Sequence, residues 1–439
     1  MTRTYHLTTL GCAKNQVDSE KLEAMLAEAG YEPASSSDQA DVVMVNTCAF
    51  IEEARRESVE TILDLGNNAR PGSKTVVLGC MAQRFGVEVE KALPEVDAVI
   101  GLDRYGGLVE TLDRLTGWEP VRIRSRPTMD ILHRVDRARP AYPYSYLKVA
   151  EGCDKPCTFC AIPLIRGKQR SRPPVEIRNE TERLVQQGVR EVVLVAQDLA
   201  SYGRDLERKS RPGIVELLKL MSRVDGLDRL RLLYLYPREI SGELIEEIAS
   251  NPRIATYFDL SLQHATTRLL RSMKRPGGVE SYMRLIDRIR RQAPDAALRS
   301  SFIVGFPGEE DADVEELADF LGWAKLDWAG FFPYSPEEGT PASTLPGRVP
   351  EVVVAERLRH LQEIQEEITA AANLESVGSR LGVLIDQVED GVPLGRSYRQ
   401  APEIDGVIAL DAGSPGTWVE AEVTAAYGPD LEARVVSGR

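Results

Sequence analysis

The sequence predicts an α/β protein in three parts: an amino-terminal domain with a parallel sheet, a partial barrel of six strand–helix units, and a small carboxyl-terminal all-β barrel. In the first two parts, short runs of β-branched residues alternate with amphipathic helical segments, which indicates parallel strands with helical crossovers. After Gly378 the helical pattern stops, and short strand-like runs are separated by glycine and proline turns. We expect domain boundaries at 1–135, 136–375 and 376–439.

In the amino-terminal part, predicted strands at 5–10, 41–45, 75–78 and 96–100 alternate with predicted helices at 19–29, 51–65 and 86–93. Strands that alternate with helices in this way pair in parallel. The carboxyl ends of parallel strands meet at one edge of the sheet, where open α/β sheets bind their ligands. We therefore expect a functional site at that edge.

The second part repeats the pattern with six predicted strands, at 146–150, 191–196, 230–234, 257–261, 298–304 and 328–332. Six units are too few for a closed eight-stranded barrel, so we expect an open one. A long helix at 351–373 carries an apolar stripe that we expect to pack on the barrel. In the tail, runs at 380–386, 407–410, 418–425 and 432–436 predict a five-stranded barrel of the oligonucleotide-binding kind.

The composition is that of a soluble globular protein, with 439 residues, 43% of them hydrophobic and 28% charged. No apolar run approaches the roughly eighteen residues of a membrane helix, so we expect no membrane insertion. Leu10-Gly11-Cys12 is a weak match to a lipoprotein cleavage site, because no apolar stretch of signal-peptide length precedes the cysteine. We expect a cytoplasmic protein whose six cysteines stay reduced.

The strongest functional signal is Cys153-Asp-Lys-Pro-Cys157-Thr-Phe-Cys160, whose three cysteines we call the loop triad. Three thiolates directly after a strand can bind three irons of a [4Fe–4S] cluster. Without a fourth cysteine, one iron is left open to a ligand, as a catalytic metal site requires. The alternative is a zinc site, but zinc takes four ligands in paired spacings, and the nearest histidine is His133.

The other three cysteines, Cys12, Cys48 and Cys80, form the amino-terminal triad, and each follows a predicted strand. Neighbouring parallel strands lie about 5 Å apart, so three such strand ends can converge on a second cluster with one open iron. The alternatives are buried cysteines that act as small apolar side chains, or one lone nucleophile.

These motifs resemble those of the methylthiotransferases, a family of radical S-adenosylmethionine (SAM) enzymes. The resemblance covers nearly the whole chain and implies a cluster domain, a radical SAM domain and a carboxyl-terminal TRAM domain. The segments that carry it are Leu10-Gly11-Cys12-Ala13-Lys14-Asn15-Gln16-Val17-Asp18-Ser19-Glu20, Val45-Asn46-Thr47-Cys48, Gly79-Cys80-Met81-Ala82-Gln83, Glu151-Gly152-Cys153, Ile165-Arg166-Gly167, Leu262-Gln263-His264-Ala265, Gly305-Phe306-Pro307-Gly308-Glu309 and Tyr334-Ser335-Pro336-Glu337-Glu338-Gly339-Thr340.

Three segments are similar to those of the RimO branch of the family: Lys14-Asn15, Asp18-Ser19-Glu20 and Ala401-Pro402-Glu403-Ile404-Asp405-Gly406. That branch modifies an aspartate of the twelfth small-subunit ribosomal protein. The sister branch, of MiaB-like enzymes, modifies adenosine in transfer RNA. The resemblance therefore implies a ribosomal-protein substrate, free or on the ribosome, with transfer RNA as the alternative.

The resemblance further implies two [4Fe–4S] clusters, one on each triad, and two molecules of SAM. One SAM gives its methyl group to sulfur at the amino-terminal triad. The other is cleaved at the loop triad with one electron, from a donor such as flavodoxin or ferredoxin. The resulting radical takes hydrogen from the β-carbon of the substrate aspartate, which then receives the methylthio group. No catalytic side chain beyond the cluster ligands is implied.

The family pattern also implies which side chains bind SAM. Phe159 and Ile162 flank the last cysteine of the loop triad and are expected beside the adenine, although core packing is the alternative for Phe159. Gln197, Gln263 and Ser301 lie on barrel strands or at their ends, near the mouth where barrel active sites are built. A purely structural role is the alternative for each of these three.

The charge distribution bears on the substrate class. The chain has a net charge of −14, and the segment from Ser376 onward contains five arginines and ten acidic residues. A barrel that binds RNA phosphates should be basic, so this acidic tail predicts no strong nucleic-acid binding and suits a basic ribosomal protein. Two basic stretches, 122–139 and 166–172, each carry a net charge of +4 and keep RNA contact open. A solvated basic face is the other interpretation of these stretches.

Overall fold

The computed structural model describes residues 3–117, 132, 135, 137–206 and 213–438, and these form the α/β fold that the sequence predicts. The elements of the first part are β1 (Arg3–Thr9), α1 (Ala13–Glu28), β2 (Tyr31–Pro33), β3 (Val42–Thr47), α2 (Glu52–Asn67), β4 (Lys74–Leu78), α3 (Gly79–Ala92), β5 (Ala98–Gly101) and α4 (Leu108–Thr116). The strands form one parallel sheet in the order β2-β1-β3-β4-β5. β3 lies at its centre with every residue buried.

Two helices of the first part begin earlier than the sequence predicts. α1 begins at Ala13 rather than at residue 19, because its first turns bury polar side chains such as Asn15 and Asp18, which an apolar pattern does not detect. α3 begins at Gly79 rather than at residue 86, so Cys80 lies in the first turn of a helix. β2 and α4 were not predicted.

The second part is an open barrel. Its elements are β6 (Tyr144–Lys148), β7 (Ala150–Glu151), α5 (Ile162–Arg166), β8 (Arg170–Ser171), α6 (Pro174–Gln186), β9 (Glu191–Val195), α7 (Ile214–Met221), β10 (Arg229–Leu232), α8 (Gly242–Ser250), β11 (Tyr257–Gln263), α9 (Thr267–Ser272), α10 (Val279–Gln292), β12 (Ala297–Val304), α11 (Asp311–Ala324), β13 (Trp328–Pro333) and α12 (Glu351–Glu375). Parallel pairing gives two groups, β6-β9-β10 and β11-β12-β13. Bridges from Leu230 to Ile254 and from Leu235 to Leu260 join the groups, which confirms the predicted six-stranded partial barrel.

The third part is a closed five-stranded barrel, as predicted, and its strand order is β14-β15-β16-β18-β17. Its strands are β14 (Arg380–Glu389), β15 (Val392–Arg396), β16 (Ile408–Leu410), β17 (Trp418–Tyr427) and β18 (Asp430–Gly438). α12, which leads into it, packs its apolar stripe on the barrel core, with Leu361 fully buried. Among the described helices, none combines the length and the apolar character that a membrane crossing needs.

The loop between β15 and β16, residues 397–405, fills the amino-terminal end of the open barrel. Arg231 of the barrel donates to the carbonyl of Tyr398 (2.7 Å), and the indole of Trp328 donates to the next carbonyl along the chain (2.7 Å). Ala401 is fully buried among the apolar residues of the barrel interior. Because this end is filled, the functional site must lie at the carboxyl ends of the strands.

A buried carboxylate, Glu191, joins β15, the strand that leads into this loop, to the open barrel. It contacts Arg229 (2.7 Å), Arg231 (2.7 Å) and Arg396 of β15 (3.0 Å), and all four side chains are nearly inaccessible to solvent. Burial alone would raise the pKa of Glu191, but the three guanidinium groups lower it far below its usual value. The interface between the second and third parts therefore depends on an ionised glutamate.

We predict that Glu191→Gln lowers the free energy of unfolding by about 3–5 kcal/mol, because it leaves buried guanidinium groups without their carboxylate. Since the folded-state pKa is depressed, the stabilisation is present above the unfolded pKa and is lost as the pH falls below it. The difference between wild type and variant should thus shrink below about pH 4.5 in urea unfolding curves.

Glu420→Gln is the matched control, because Glu420 is a half-exposed residue of β17 whose ion pair with Arg380 (3.7 Å) faces solvent. It should leave the unfolding midpoint almost unchanged. Equal stability of the two variants at pH 7 would contradict the assigned role of Glu191.

Candidate functional site

The loop triad lies in a segment that follows β7 and is fixed by glycine. Gly152 adopts a φ of +78°, and a Cβ there would overlap the carbonyl oxygen of Lys168, so only glycine fits. The N–H of Cys153 donates to the carbonyl of Gly167 (3.1 Å), and that of Cys160 donates to the carbonyl of Cys157 (3.2 Å). The three thiols are thereby held on one short loop.

Each thiol of the loop triad is partly exposed, and the thiols influence one another. Burial raises the pKa of Cys160 to about 12, and the neighbouring Cys157 and Cys153 contribute to the rise. Arg275 donates to Cys157 Sγ (3.3 Å) and stacks over the ring of Tyr236, 4.3 Å from its centroid. A cation that faces the sulfurs suits a site that carries negative charge when its thiols are ionised.

The amino-terminal triad follows three adjacent strands, β1, β3 and β4, at one edge of the sheet. Asn15 joins the three strand ends. Its Nδ2 donates to the carbonyls of Leu10 (2.9 Å) and Thr47 (3.0 Å), and its Oδ1 lies 3.6 Å from Cys80 Sγ. A Cβ on Gly11 would lie 2.9 Å from Cys48 Sγ, so the loop that carries Cys12 packs directly on the second cysteine.

The three amino-terminal thiols differ in their electrostatic surroundings. Burial raises the pKa of Cys48 to about 12 and raises that of Cys80, and the neighbouring thiol of Cys12 adds to both shifts. Burial also opposes ionisation of Cys12, but Lys14 and Arg166 outweigh it, and the pKa of that thiol is lowered. The triad therefore combines closely spaced thiols with two cations.

Both triads have the soft thiolate donors that iron–sulfur clusters use. Among the described residues, no three side chains of His, Cys, Asp or Glu are arranged to hold a single metal ion. A cubane cluster does not require such convergence, because each thiolate binds a different iron. The donor sets thus fit clusters better than one zinc ion.

A buried ionic network, which we call the junction network, connects the two triads. Arg166 Nη2 donates to Cys80 Sγ (3.3 Å), and its Nη1 donates to Oε1 of Glu151 (2.8 Å), two residues before Cys153. Lys148 pairs with Glu151 (2.6 Å) and with Asp18 of α1, which also lies 3.4 Å from Arg166. The charged side chains of the network are all nearly inaccessible to solvent.

A second contact between the first two parts lies beside Cys48. Glu337, in the loop after β13, accepts from Arg55 (2.5 Å) and Arg84 (2.5 Å). Arg84 also donates to the carbonyls of Glu338 (2.7 Å) and Ala49 (3.2 Å). This arginine therefore ties the barrel loop to the chain that follows Cys48.

The sequence analysis assigns no functional role to most of these charged residues, although many of them belong to the motifs that carry the resemblance. A charged residue inside one of the motifs that carry the resemblance is the signal that could have indicated Asp18, Glu151 and Arg166. No pattern in the sequence indicates Lys148 or Arg275, because their role arises only from tertiary contacts.

Where the structure describes them, the two basic stretches are only partly solvated: Arg139 and Lys168 are exposed, but other basic side chains are buried. Arg166 and Arg172 of the stretch 166–172 are buried, and Arg172 pairs with Glu180 (2.6 Å). Of the stretch 122–139, Arg137 is buried and paired with Glu20. Residues 122–131 and 134 lie outside the described part of the chain, as does His133.

The five expected SAM-binding residues are all partly exposed. Gln197 donates to Glu151 Oε1 (2.9 Å) and so joins the junction network. Phe159 packs on the barrel core, and Ile162 begins α5, where its N–H faces Cys160. Gln263 ends β11 with a φ of +72°, and Ser301 lies within β12. Their roles in binding SAM stay predictions.

We predict that Gly152→Ala removes about four of about eight irons per chain after anaerobic reconstitution, one cluster being expected on each triad. The added methyl group overlaps the Lys168 carbonyl, so the segment that carries the loop triad must move.

Gly188→Ala is the matched control, because Gly188 also has a positive φ (+105°) but nothing lies within 4 Å of its added Cβ. It should keep the full iron content. Full iron in Gly152→Ala would show that the loop triad tolerates the shift and would contradict its assigned geometry.

Three family models match successive parts of the chain. They are Uncharacterized protein family UPF0004 over residues 4–101, the Radical SAM superfamily over 147–321, and the TRAM domain over 377–436.

Curated relatives match over nearly the full length. The chain is 40% identical to "Ribosomal protein uS12 methylthiotransferase RimO" of Saccharopolyspora erythraea, with 99% of this chain and 95% of the relative covered. It is 44% identical to the protein of the same name from Moorella thermoacetica, over 95% of this chain and 96% of the relative.

Among solved structures, the radical S-adenosylmethionine methyltransferase TsrM from Kitasatospora setae matches with a TM-score of 0.55 at 17% identity, over 78% of this chain and 74% of TsrM. The cobalamin-dependent S-adenosylmethionine radical enzyme OxsB matches with a TM-score of 0.50 at 14% identity, over 83% of this chain and 56% of OxsB. At these identities the matches bear on the fold alone.

Proposed function

Because the chain belongs to the RimO family of methylthiotransferases, we propose that it inserts a methylthio group at the β-carbon of an aspartate in the twelfth small-subunit ribosomal protein. Its radical SAM domain implies one [4Fe–4S] cluster and SAM. The observation that carries the proposal is that two thiol triads are joined by one buried ionic network.

The loop triad would hold the SAM-binding cluster, and the amino-terminal triad would hold a second, sulfur-carrying [4Fe–4S] cluster. Together with SAM, these groups supply the means to remove hydrogen from an unactivated carbon and to put methylated sulfur in its place. We further propose that a small electron carrier such as flavodoxin or ferredoxin supplies the electron. Phe159, Ile162, Gln197, Gln263 and Ser301 remain our candidates for binding SAM.

The chain's own residues position the two sites and exclude water. Asn15 fixes the three strand ends of the amino-terminal triad, and Arg166 places a positive charge against Cys80. Glu151 orients both Arg166 and Gln197, so it couples the first triad to the barrel mouth. With the opposite end filled by residues 397–405, the substrate must approach from the carboxyl ends of the barrel strands.

The surface charge supports a protein substrate over RNA. Five exposed acidic side chains of the third part have no cation within ion-pair distance among the described residues. They are Glu389, Asp390, Asp411, Asp430 and Glu432. Such a surface repels phosphates and attracts a basic ribosomal protein, free or on the ribosome. In addition, the buried pairing of Arg166 and Arg172 takes two cations away from any RNA-binding face.

Mass spectrometry of a strain that lacks the gene tests the substrate. We expect the target aspartate of the ribosomal protein to lose its methylthio mass, while methylthio-adenosine in transfer RNA stays at the wild-type level. An unchanged aspartate modification together with lost methylthio-adenosine would mean that the enzyme acts on transfer RNA.

We predict that Cys48→Ala abolishes methylthio insertion but keeps SAM cleavage, because it removes a thiolate of the amino-terminal triad only. The measurement is 5′-deoxyadenosine and modified substrate in the same anaerobic reaction. Cys157→Ala is the comparison, and it should lose both products. Normal sulfur insertion by Cys48→Ala would refute a second cluster on that triad.

A further inference from the structure

Lys14 occupies an unusual place at the start of α1. The residue is only 6% exposed, and its Nζ lies 3.9 Å from the centroid of the Tyr234 ring, just beyond β10. Its neighbours Ala13 and Val17 pack with the apolar residues that line the barrel interior. The ammonium group is therefore placed where β10 reaches the mouth of the barrel, two residues from Cys12.

No carboxylate pairs with this ammonium among the described residues. The contrast is with the two other buried lysines in the described part of the chain: Lys21 lies 3.1 Å from Glu180, and Lys148 lies 2.6 Å from Glu151. An ammonium group that is buried without an anion is costly, and proteins avoid it unless something else supplies the charge. Lys14 acts electrostatically on the Cys12 thiol, but its carboxylate partner is missing, so a carboxylate that pairs with it would come from outside the described chain.

The residue beneath Lys14 is held in a strained conformation. Tyr234 has a φ of +63°, a left-handed conformation that side chains other than glycine rarely adopt. Its N–H donates to Asp259 Oδ2 (2.9 Å), which in turn pairs with Arg299 (3.0 Å). Strain of this kind persists where surrounding contacts enforce it, and it is concentrated at ligand sites. Here it presents the ring face to the ammonium group.

We propose that Lys14 binds the carboxylate of the substrate aspartate and so selects a carboxylate-bearing substrate. This inference rests on the proposed function. The carboxylate of an aspartate is attached directly to its β-carbon, so an ion pair at Lys14 would orient that carbon beside Cys12. Adenine carries no negative charge on its base and would leave the ammonium unpaired. The same lysine that accepts an aspartate thus disfavours an adenosine.

The carboxylate could come from two sources, the substrate aspartate or the methionyl part of SAM. Two measurements on Lys14→Gln distinguish them. One is the affinity of the reconstituted enzyme for the purified ribosomal protein, compared with the same protein carrying asparagine at the target position. The other is the affinity for SAM in the absence of substrate, measured by equilibrium dialysis.

We expect wild type to bind the aspartate protein about tenfold to a hundredfold more tightly than the asparagine protein, as a charge-assisted hydrogen bond provides. In Lys14→Gln this ratio should fall to about one, while SAM affinity and iron content stay unchanged. Lys14→Arg should keep part of the preference because it keeps the charge.

Lys21→Gln is the matched control on the same helix. It breaks a buried ion pair, so it should lower the melting temperature but keep the aspartate preference. If Lys14→Gln behaves in the same way, Lys14 is structural and the inference is wrong. Loss of SAM affinity or of iron with the preference retained would assign Lys14 to the cofactors and would also overturn it.

These outcomes are distinct from failure of the proposed function. If wild type neither binds the ribosomal protein nor modifies its aspartate, the substrate assignment itself fails, and the role of Lys14 fails with it. If wild type modifies the aspartate and Lys14→Gln still discriminates against asparagine, only the inference about Lys14 is wrong.

Discussion

Two buried anions and two buried cations meet where the amino-terminal sheet contacts the barrel, and the relation between the two thiol triads depends on them. Asp18, Lys148, Glu151 and Arg166 balance in charge, and none is accessible enough for water to replace a missing partner. Sliding one part over the other would separate these charges in a poorly solvated space, at a cost of several kcal/mol. The network therefore selects a single docked arrangement, which apolar contacts alone would specify less sharply.

Buried ion pairs also join the parts of the chain at two other contacts. Glu337 accepts from two arginines of the first part, and Glu191 is surrounded by three arginines that belong to the second and third parts. In each case one glutamate is shared by several guanidinium groups with fixed directions. Since arginine binds carboxylates along defined directions, these contacts specify orientation as well as proximity. Lys14 is the exception to this pairing among the described buried lysines, because its ammonium group faces the ring of Tyr234 rather than a carboxylate.

The fold and the cysteines could be predicted from the sequence because their signals are local. A strand followed by a cysteine, or three cysteines within eight residues, is visible without any tertiary contact. The start of α1 could not be placed, because its polar side chains are buried against another part of the chain. For the same reason, arginines such as Arg166 and Arg172 resembled a solvated basic surface, although both are buried in ion pairs. A sequence shows how many charges a segment has, but their partners lie far away along the chain.

Residues 397–405 of the third part fill the amino-terminal end of the open barrel, and this has a consequence for how such chains can be recombined. By sequence, the third part begins near residue 376, yet Ala401 belongs to the interior of the second part. A chimera cut at that covalent boundary would replace a piece of the barrel's own core along with the tail. Changes in Tyr398 or Ala401 must be matched by changes in the strands around them, such as at Trp328 and Tyr257. The tail and the barrel must therefore be inherited, and exchanged, as one unit.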